Sequence, residues 1–372
     1  MDAAGADRYL AHVNVGDPLA DRMISDLSDF DQNYVERLIR HHIMNFPGSE
    51  FKDAPASVGE FFEASRAVPP WVDFDSFQAG CRLFHGNTRL VLAGMVGGVL
   101  IEGFSTTIAR SFFLTGRLRD RGSRRLRQNN RHMLEIFIPG GMRNGCDGWA
   151  HSVRIRLVHA RLRFMFNASS EWDSDELGVP LSAANLGFAI ASFSARLLYH
   201  IKRLGAVSNK EERASFMQIW RYSGYLMGIP ETILFADQEE ADYIFKIGLA
   251  CEPPPSMESI VLAASLINSA PLFAGMNEPD QREKYAKYIA RISRALIGDQ
   301  MADDLMYDQA NTFGILWKFR VIGKIERFLG SFLPIQKYVN NMTTILDVSM
   351  FDEDGIGYKL PNHIFSEKSD GW

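Results

Sequence analysis

Apolar residues return every three or four positions along nearly the whole chain, and no alternating strand pattern of useful length interrupts them. The pattern predicts an all-α protein with helices over 30–45, 74–84, 88–113, 119–136, 151–166, 181–204, 209–227, 237–250, 257–270, 279–297 and 300–330. Punctuation supports several limits: Ser208-Asn209-Lys210-Glu211 reads as a capping box, while Pro139-Gly140-Gly141 and Gly178-Val179-Pro180 break their neighbours. The consecutive prolines of Cys251-Glu252-Pro253-Pro254-Pro255-Ser256 cannot continue a helix and mark the clearest internal joint. Three sections are expected: an N-terminal helical extension over 1–59, a core over 60–250 and a C-terminal helical section over 256–372 packed on that core. The chain from Phe351 onward is read as an irregular arm.

Composition narrows the class. With 372 residues and 46% hydrophobic content, the chain can bury a large core. A net charge of -5, spread along the sequence, creates no global field for nucleic acid. Cys81, Cys146 and Cys251 lack the paired spacing of a zinc site and the even count of a disulfide framework, so they read as reduced thiols. The first residues, Met1-Asp2-Ala3-Ala4-Gly5-Ala6-Asp7, are not a basic region followed by an apolar core, and a cytoplasmic location is expected. Val91 to Ile101 is far shorter than the roughly 20 residues of a membrane span and reads as a buried helix.

The usual chemical signatures are missing: there is no phosphate loop, no His-Glu-x-x-His, no Gly-x-Ser-x-Gly and no Cys-x-x-Cys. Glu239-Glu240, Asp303-Asp304 and His41-His42 are adjacent on helices, so each pair diverges by about 100° and reads as solvated surface. His159 is different, because Arg156 at i−3 and Arg163 at i+4 share its side of the helix and Leu157, Val158 and Leu162 flank it. Such a segment offers an imidazole for iron, apolar walls for a macrocycle and cations for its propionates. On the residues alone, the commoner fate of such a histidine is a core position satisfied by a backbone carbonyl.

Glu102 interrupts the most apolar helix, where a carboxylate must be paired or protonated. It is a candidate proton carrier or the structural partner of a cation such as Arg110. His85 and His132 are alternative ligands. The run Arg117, Arg119, Arg121, Arg124, Arg125, Arg127 and Arg131 has little aromatic interleaving, so it reads as a solvated helix with a few anion contacts, not a nucleic-acid patch. The segment 315–329 is basic and amphipathic, suited to peripheral membrane contact or to packing on the core.

From about Trp71 to Phe245 the order of signals resembles the MpaB-type oxygenase family, which includes the latex clearing proteins. The landmarks are Leu92-Ala93-Gly94-Met95-Val96-Gly97-Gly98, Leu114-Thr115-Gly116-Arg117-Leu118 and Arg154-Ile155-Arg156-Leu157-Val158-His159-Ala160-Arg161-Leu162-Arg163. They continue with Gly178-Val179-Pro180-Leu181-Ser182, Phe193-Ser194 and Trp220-Arg221-Tyr222-Ser223-Gly224. The resemblance implies a globin-like helical core holding one haem b, with His159 as the proximal ligand; Arg156 and Arg163, placed on its side of the helix by their spacing, are the expected cofactor-binding partners. Thr115, Gly116 and Arg117 map to the distal side, where Thr115 is a candidate hydroxyl donor and Glu102 a candidate proton carrier. Two departures fall there: Leu114 replaces the lysine of the latex clearing proteins, and Gln128-Asn129-Asn130 replaces an acid-and-threonine pattern.

The expectation is a haem b-dependent oxygenase that uses dioxygen on a hydrophobic substrate, with cleavage of an isoprenoid-like C=C bond as its specific form. Its rivals are a haem protein that binds a gas or uses peroxide, and a haem-free helical interaction protein.

Overall fold

The computed structural model describes residues 2–46, 51–115, 130–273, 276–330 and 360–364. Every regular element among them is helical, as the apolar spacing predicts. Most predicted helices are present with shifted ends, including Gln32–Ile43, Phe77–Gly86, Asp147–Asn167, Lys210–Leu226 and Gln238–Cys251. The capping box lies one residue later than predicted: the Asn209 side chain accepts from the Glu212 N–H, and Glu212 accepts from the Asn209 N–H.

The largest departure is the apolar run predicted as one helix over 88–113. Thr88–Gly94 passes into a π turn, Met95–Val99, continues as Leu100–Phe104 and then turns by 96° into Ile108–Leu114. Hydroxyls explain the break. Ser105 Oγ donates to the Glu102 carbonyl at 2.7 Å and Thr106 Oγ1 to that of Gly103 at 2.7 Å, relieving backbone groups that a continued helix would use. The next helix starts where the Glu252 carboxylate accepts from both the Thr107 N–H (2.7 Å) and its hydroxyl (2.8 Å). Glu252 belongs to the proline-rich joint, so the joint anchors a bend far away in sequence.

A second π turn, Ser192–Arg196, divides the predicted 181–204 helix into Ala183–Ala191 and Leu197–Leu204. The two π turns pack together. π turns reorient the side chains that follow them and concentrate at functional sites. A β-carbon at Gly98 would fall 2.5 Å from the His200 ring, so the apolar helix reaches its neighbour only because glycine stands there. The predicted 300–330 helix also divides, into Asp299–Asp304 and Ile315–Gly330, with left-handed backbone at Met306 (φ 58°) and Gly314 (φ 77°) between them.

Three N-terminal helices lack a predicted counterpart: Ala3–Ala11, Pro18–Asp26 and Ala56–Arg66. Backbone N–H groups of Val179, Ala183 and Ala184 donate to the carbonyls of Val13, Val15 and His12. One apolar cluster runs from Tyr9 to Leu360, so the N-terminal helices share the core with the rest. At the other end, the Leu360 N–H donates to Glu36 and Arg161 Nε to the Pro361 carbonyl, strapping the described part of the arm across the Asp147–Asn167 helix.

Among the described residues no single helix is long and apolar enough to cross a membrane; the bent pair Thr88–Phe104 and Ile108–Leu114 reaches that length and composition together. On Ile315–Gly330 the inner face carries buried Ile315, packed with Leu204, Ile292 and Leu296. Its outer face exposes Trp317 (68%) and Ile325 (53%), next to Phe313 (89%).

Candidate active site

The broken helices border a largely apolar cavity that is partly open to solvent. Leu100, Gly103 and Phe104 come from the piece after the first π turn, and Ser111, Phe112 and Thr115 from the segment beyond the bend. Ser192 and Phe193 come from the second π turn, and Trp220 from Lys210–Leu226. The interruptions of the predicted 88–113 and 181–204 helices therefore both supply cavity wall.

The Asp147–Asn167 helix contributes Ile155, His159 and Leu162. At 100° per residue, Ile155 and Leu162 lie about 40° and 60° to one side of His159, whereas Arg156 and Arg163 lie about 60° and 40° to the other. The arginines accordingly leave the cavity. Arg156 forms a two-pronged ion pair with Asp17, Nε–Oδ2 at 2.5 Å and a terminal nitrogen to Oδ1 at 2.8 Å, with its guanidinium 5.1 Å from the Phe61 ring centre. Arg163 Nε donates to Asp21 at 2.7 Å and another of its nitrogens to the Leu181 carbonyl at 3.2 Å. Both therefore depart from the expected role beside a cofactor: they fasten the Pro18–Asp26 helix behind the site. Leu181, held in left-handed backbone at φ 51°, turns its side chain into the cavity wall. A branched residue there stores strain that surrounding contacts must hold.

Thr115 reaches the cavity, but its hydroxyl hydrogen points to the carbonyls of Ser111 (2.9 Å) and Phe112 (3.1 Å). Donation to a guest would require it to turn away from them. Arg117 and Gly116 lie outside the described residues, as do Gln128 and Asn129. Glu102 is fully buried and faces away from the cavity. Its partner is Arg196, with contacts of 2.5 and 3.2 Å, not Arg110, which pairs with Glu258 at 2.9 Å. His200 Nε2 also lies 3.1 Å from Glu102 without hydrogen-bond alignment. Burial acts to raise this carboxyl, but His200 and the Arg196 fork outweigh it and hold it at about 2. At neutral pH Glu102 is an ionised bracket between the Leu100–Phe104 helix and the second π turn.

Of the two alternative histidines, His85 turns its Nε2 to the Phe137 carbonyl at 3.0 Å and lies outside the cavity. His132 is in the wall, 6% exposed, with Nε2 at 2.9 Å from Ser152 Oγ. Burial pushes its imidazole down to about 3, with His151 adding to the shift, so it is neutral. Sequence reasoning weighed His132 only as a ligand and did not single out Ser111 or Asn185, which also reach the cavity. Phe193 and Trp220 were legible only as family landmarks.

The chemistry of this donor set suits a macrocycle better than a bare ion. Among the described residues no group of three His, Cys, Asp or Glu gathers to hold a metal. An axial haem site asks for one imidazole set in an apolar wall, and His159 meets that requirement. Arg156 and Arg163 are committed elsewhere, so any propionate partners must be other groups.

Three likenesses bear on this geometry. Residues 82–325, well over half of the chain, match the family described as "ER-bound oxygenase mpaB/B'/Rubber oxygenase, catalytic domain". A protein named Rubber oxygenase from Streptomyces sp. (strain K30) is 23% identical over 259 residues, covering 67% of this chain; the chain spans 60% of that relative's length. In fold, the chain is similar to a solved structure of latex clearing protein in its closed state, with a TM-score of 0.66, 19% identity and 93% of each chain covered. The matched span contains both π turns, the bend and the whole His159 helix, and on that match the chain belongs to the ER-bound oxygenase mpaB/B'/Rubber oxygenase family.

Proposed function

We propose that this chain is a haem b-dependent oxygenase that uses dioxygen on a hydrophobic, isoprenoid-like substrate. The observation that carries the reading is His159 in the wall of an apolar cavity, inside the span that matches the oxygenase family. When bound, haem supplies redox chemistry on dioxygen that side chains alone lack. His159 would hold the iron, with Ile155 and Leu162 against the macrocycle. Phe104, Phe112 and Phe193 keep water from the reacting region and give a hydrocarbon its shape-matched wall. Glu102 and Arg196 tie the Leu100–Phe104 helix to the second π turn, so their part is positioning. The name of the Streptomyces relative supports a polyisoprenoid C=C bond as the target.

The test is oxygen uptake by protein purified after haem-replete expression, with and without an acyclic polyene. Substrate-dependent uptake with carbonyl-containing products is expected. A haem-loaded protein whose uptake no polyene increases would favour gas binding or peroxide use, and haem-free protein would leave a helical interaction protein.

We further propose that the outer face of Ile315–Gly330 lies on an anionic bilayer from which a greasy substrate enters. Support comes from Phe313, Trp317 and Ile325 standing exposed beside exposed Lys318 and Lys324, apolar anchors next to charges that complement acidic headgroups. Replacing both lysines by alanine is expected to weaken sedimentation with phosphatidylserine-containing vesicles about 30-fold, at roughly 1 kcal/mol per charge. Wild-type protein that fails to sediment with them refutes the contact.

A further inference from the structure

Four glycines punctuate the apolar run from Thr88 to Phe104, and three of them are explained by what packs against them. A β-carbon would fall 3.2 Å from Ile201 and Leu197 at Gly94, 3.3 Å from Leu296 at Gly97 and 2.5 Å from the His200 ring at Gly98. Gly103 is the exception. A β-carbon there meets nothing within 4 Å, and the backbone is not left-handed, so neither close packing nor chain conformation asks for glycine. Alanine would favour the helix more. What the missing side chain preserves is room.

That room lies in the cavity wall, which Gly103 lines together with Val99, Leu100 and Phe104. At 100° per residue, Gly103 projects between Val99 and Leu100, about 40° from the first and 60° from the second, so a side chain at 103 would point with theirs. This wall and the His159 wall are carried by different sets of helices. Leu100–Phe104 packs on Ile108–Leu114 and Met257–Phe273, whereas Asp147–Asn167 packs on Pro18–Asp26 and Lys210–Leu226. Gly103 thus belongs with Phe104, whose ring meets that of Phe112 at 5.5 Å, on the side assigned to hydrocarbon and not the side of Ile155 and Leu162 assigned to the macrocycle. Carbon atoms in contact sit about 3.5–4.0 Å apart, so a point clear to 4 Å holds a methyl group without displacing a neighbour.

We propose that Gly103 is a specificity-determining position whose bare α-carbon receives a methyl branch of the substrate chain. An isoprenoid carries such a branch on every fourth carbon of its main chain, whereas an unbranched polyene leaves the bay unfilled. This role rests on the cavity being the site of a hydrophobic substrate, yet its test reads binding and not oxygen uptake. Titration calorimetry on the full chain, purified after haem-replete expression, should show Gly103→Ala binding an acyclic C15 isoprenoid hydrocarbon about tenfold more weakly than the wild type does, the usual cost of forcing an extra carbon into a filled space. The linear C12 hydrocarbon of equal main-chain length should bind the two proteins within about twofold of each other. The thermal midpoint of Gly103→Ala should be at or above that of the wild type, because alanine suits the helix and meets no neighbour. Equal losses for the two hydrocarbons, no loss for either, or a lowered midpoint overturns the proposal and leaves the oxygenase reading to stand or fall on oxygen uptake. Wild-type protein that binds neither hydrocarbon removes the hydrophobic-substrate reading as well.

Discussion

His159→Ala protein, expressed with ample haem and purified beside the wild type, should carry at least about tenfold less haem and lack the wild-type Soret band. Loss of groups that merely orient a ligand already costs about 10- to 100-fold in metal affinity, and loss of the ligand itself costs no less. The substitution should leave helical content unchanged, because Ile155 and Leu162 keep the wall and Arg156 and Arg163 keep the helix fastened to Asp17 and Asp21. Arg163→Lys serves as the contrast: it lies one turn away, faces Asp21, and should alter stability more than haem content. Equal Soret absorbance in wild type and His159→Ala would remove His159 as the residue that would hold the iron.

Glu102→Ala should destabilise the fold by about 3–5 kcal/mol, the usual result of leaving one member of a buried ion pair without its partner. The orphan would be Arg196, whose charge is nearly enclosed beside Tyr199 and Phe245. Its pH dependence follows from the sign of the shift. The folded-state carboxyl is held at about 2, below its ordinary 4.5, so its contribution is fully present above about 4.5 and is lost as pH falls toward 2. At 1.36 kcal/mol per unit, about 3 kcal/mol disappears over that window. Urea unfolding from pH 6 to pH 2 checks this: the gap between wild type and Glu102→Gln should narrow by about that amount. A gap that stays constant would show that the folded protein does not hold the carboxyl below its ordinary value.

Much of the frame is visible in the bare chain because it rests on local spacing. Apolar residues at helical intervals identify the Gln32–Ile43, Lys210–Leu226 and Gln238–Cys251 helices with little need of context. Spacing does not reveal an interruption that preserves the apolar character. The stretches 88–113 and 181–204 remain hydrophobic through their π turns, and only Ser105, Thr106 and Thr107 hint at the bend. The acceptor that stabilises the new helix start, Glu252, is 145 residues away. The N-terminal helices were missed although Asp17, followed by Pro18, is a local cap that accepts from the Ala20 N–H; only the ion pairs that clasp this helix, from Asp17 and Asp21 to Arg156 and Arg163, draw on distant partners.

By itself the sequence determined an all-helical protein, a large apolar core and one histidine in a recognisable segment, since helical periodicity and ordered motifs are properties of neighbours along the chain. Which way each residue of that segment faces was decided in three dimensions. Arg156, His159 and Arg163 share one side of an isolated helix, but the Pro18–Asp26 helix supplies the carboxylates that take both arginines, leaving His159 at the edge that borders the cavity. The same holds for Glu102, a lone acid in an apolar run until Arg196 and His200 close on it, and for His132, which Ser152 and Ser223 join in a buried polar cluster. A buried polar group takes its role from the partners that replace water, and those partners are assembled only by the tertiary fold.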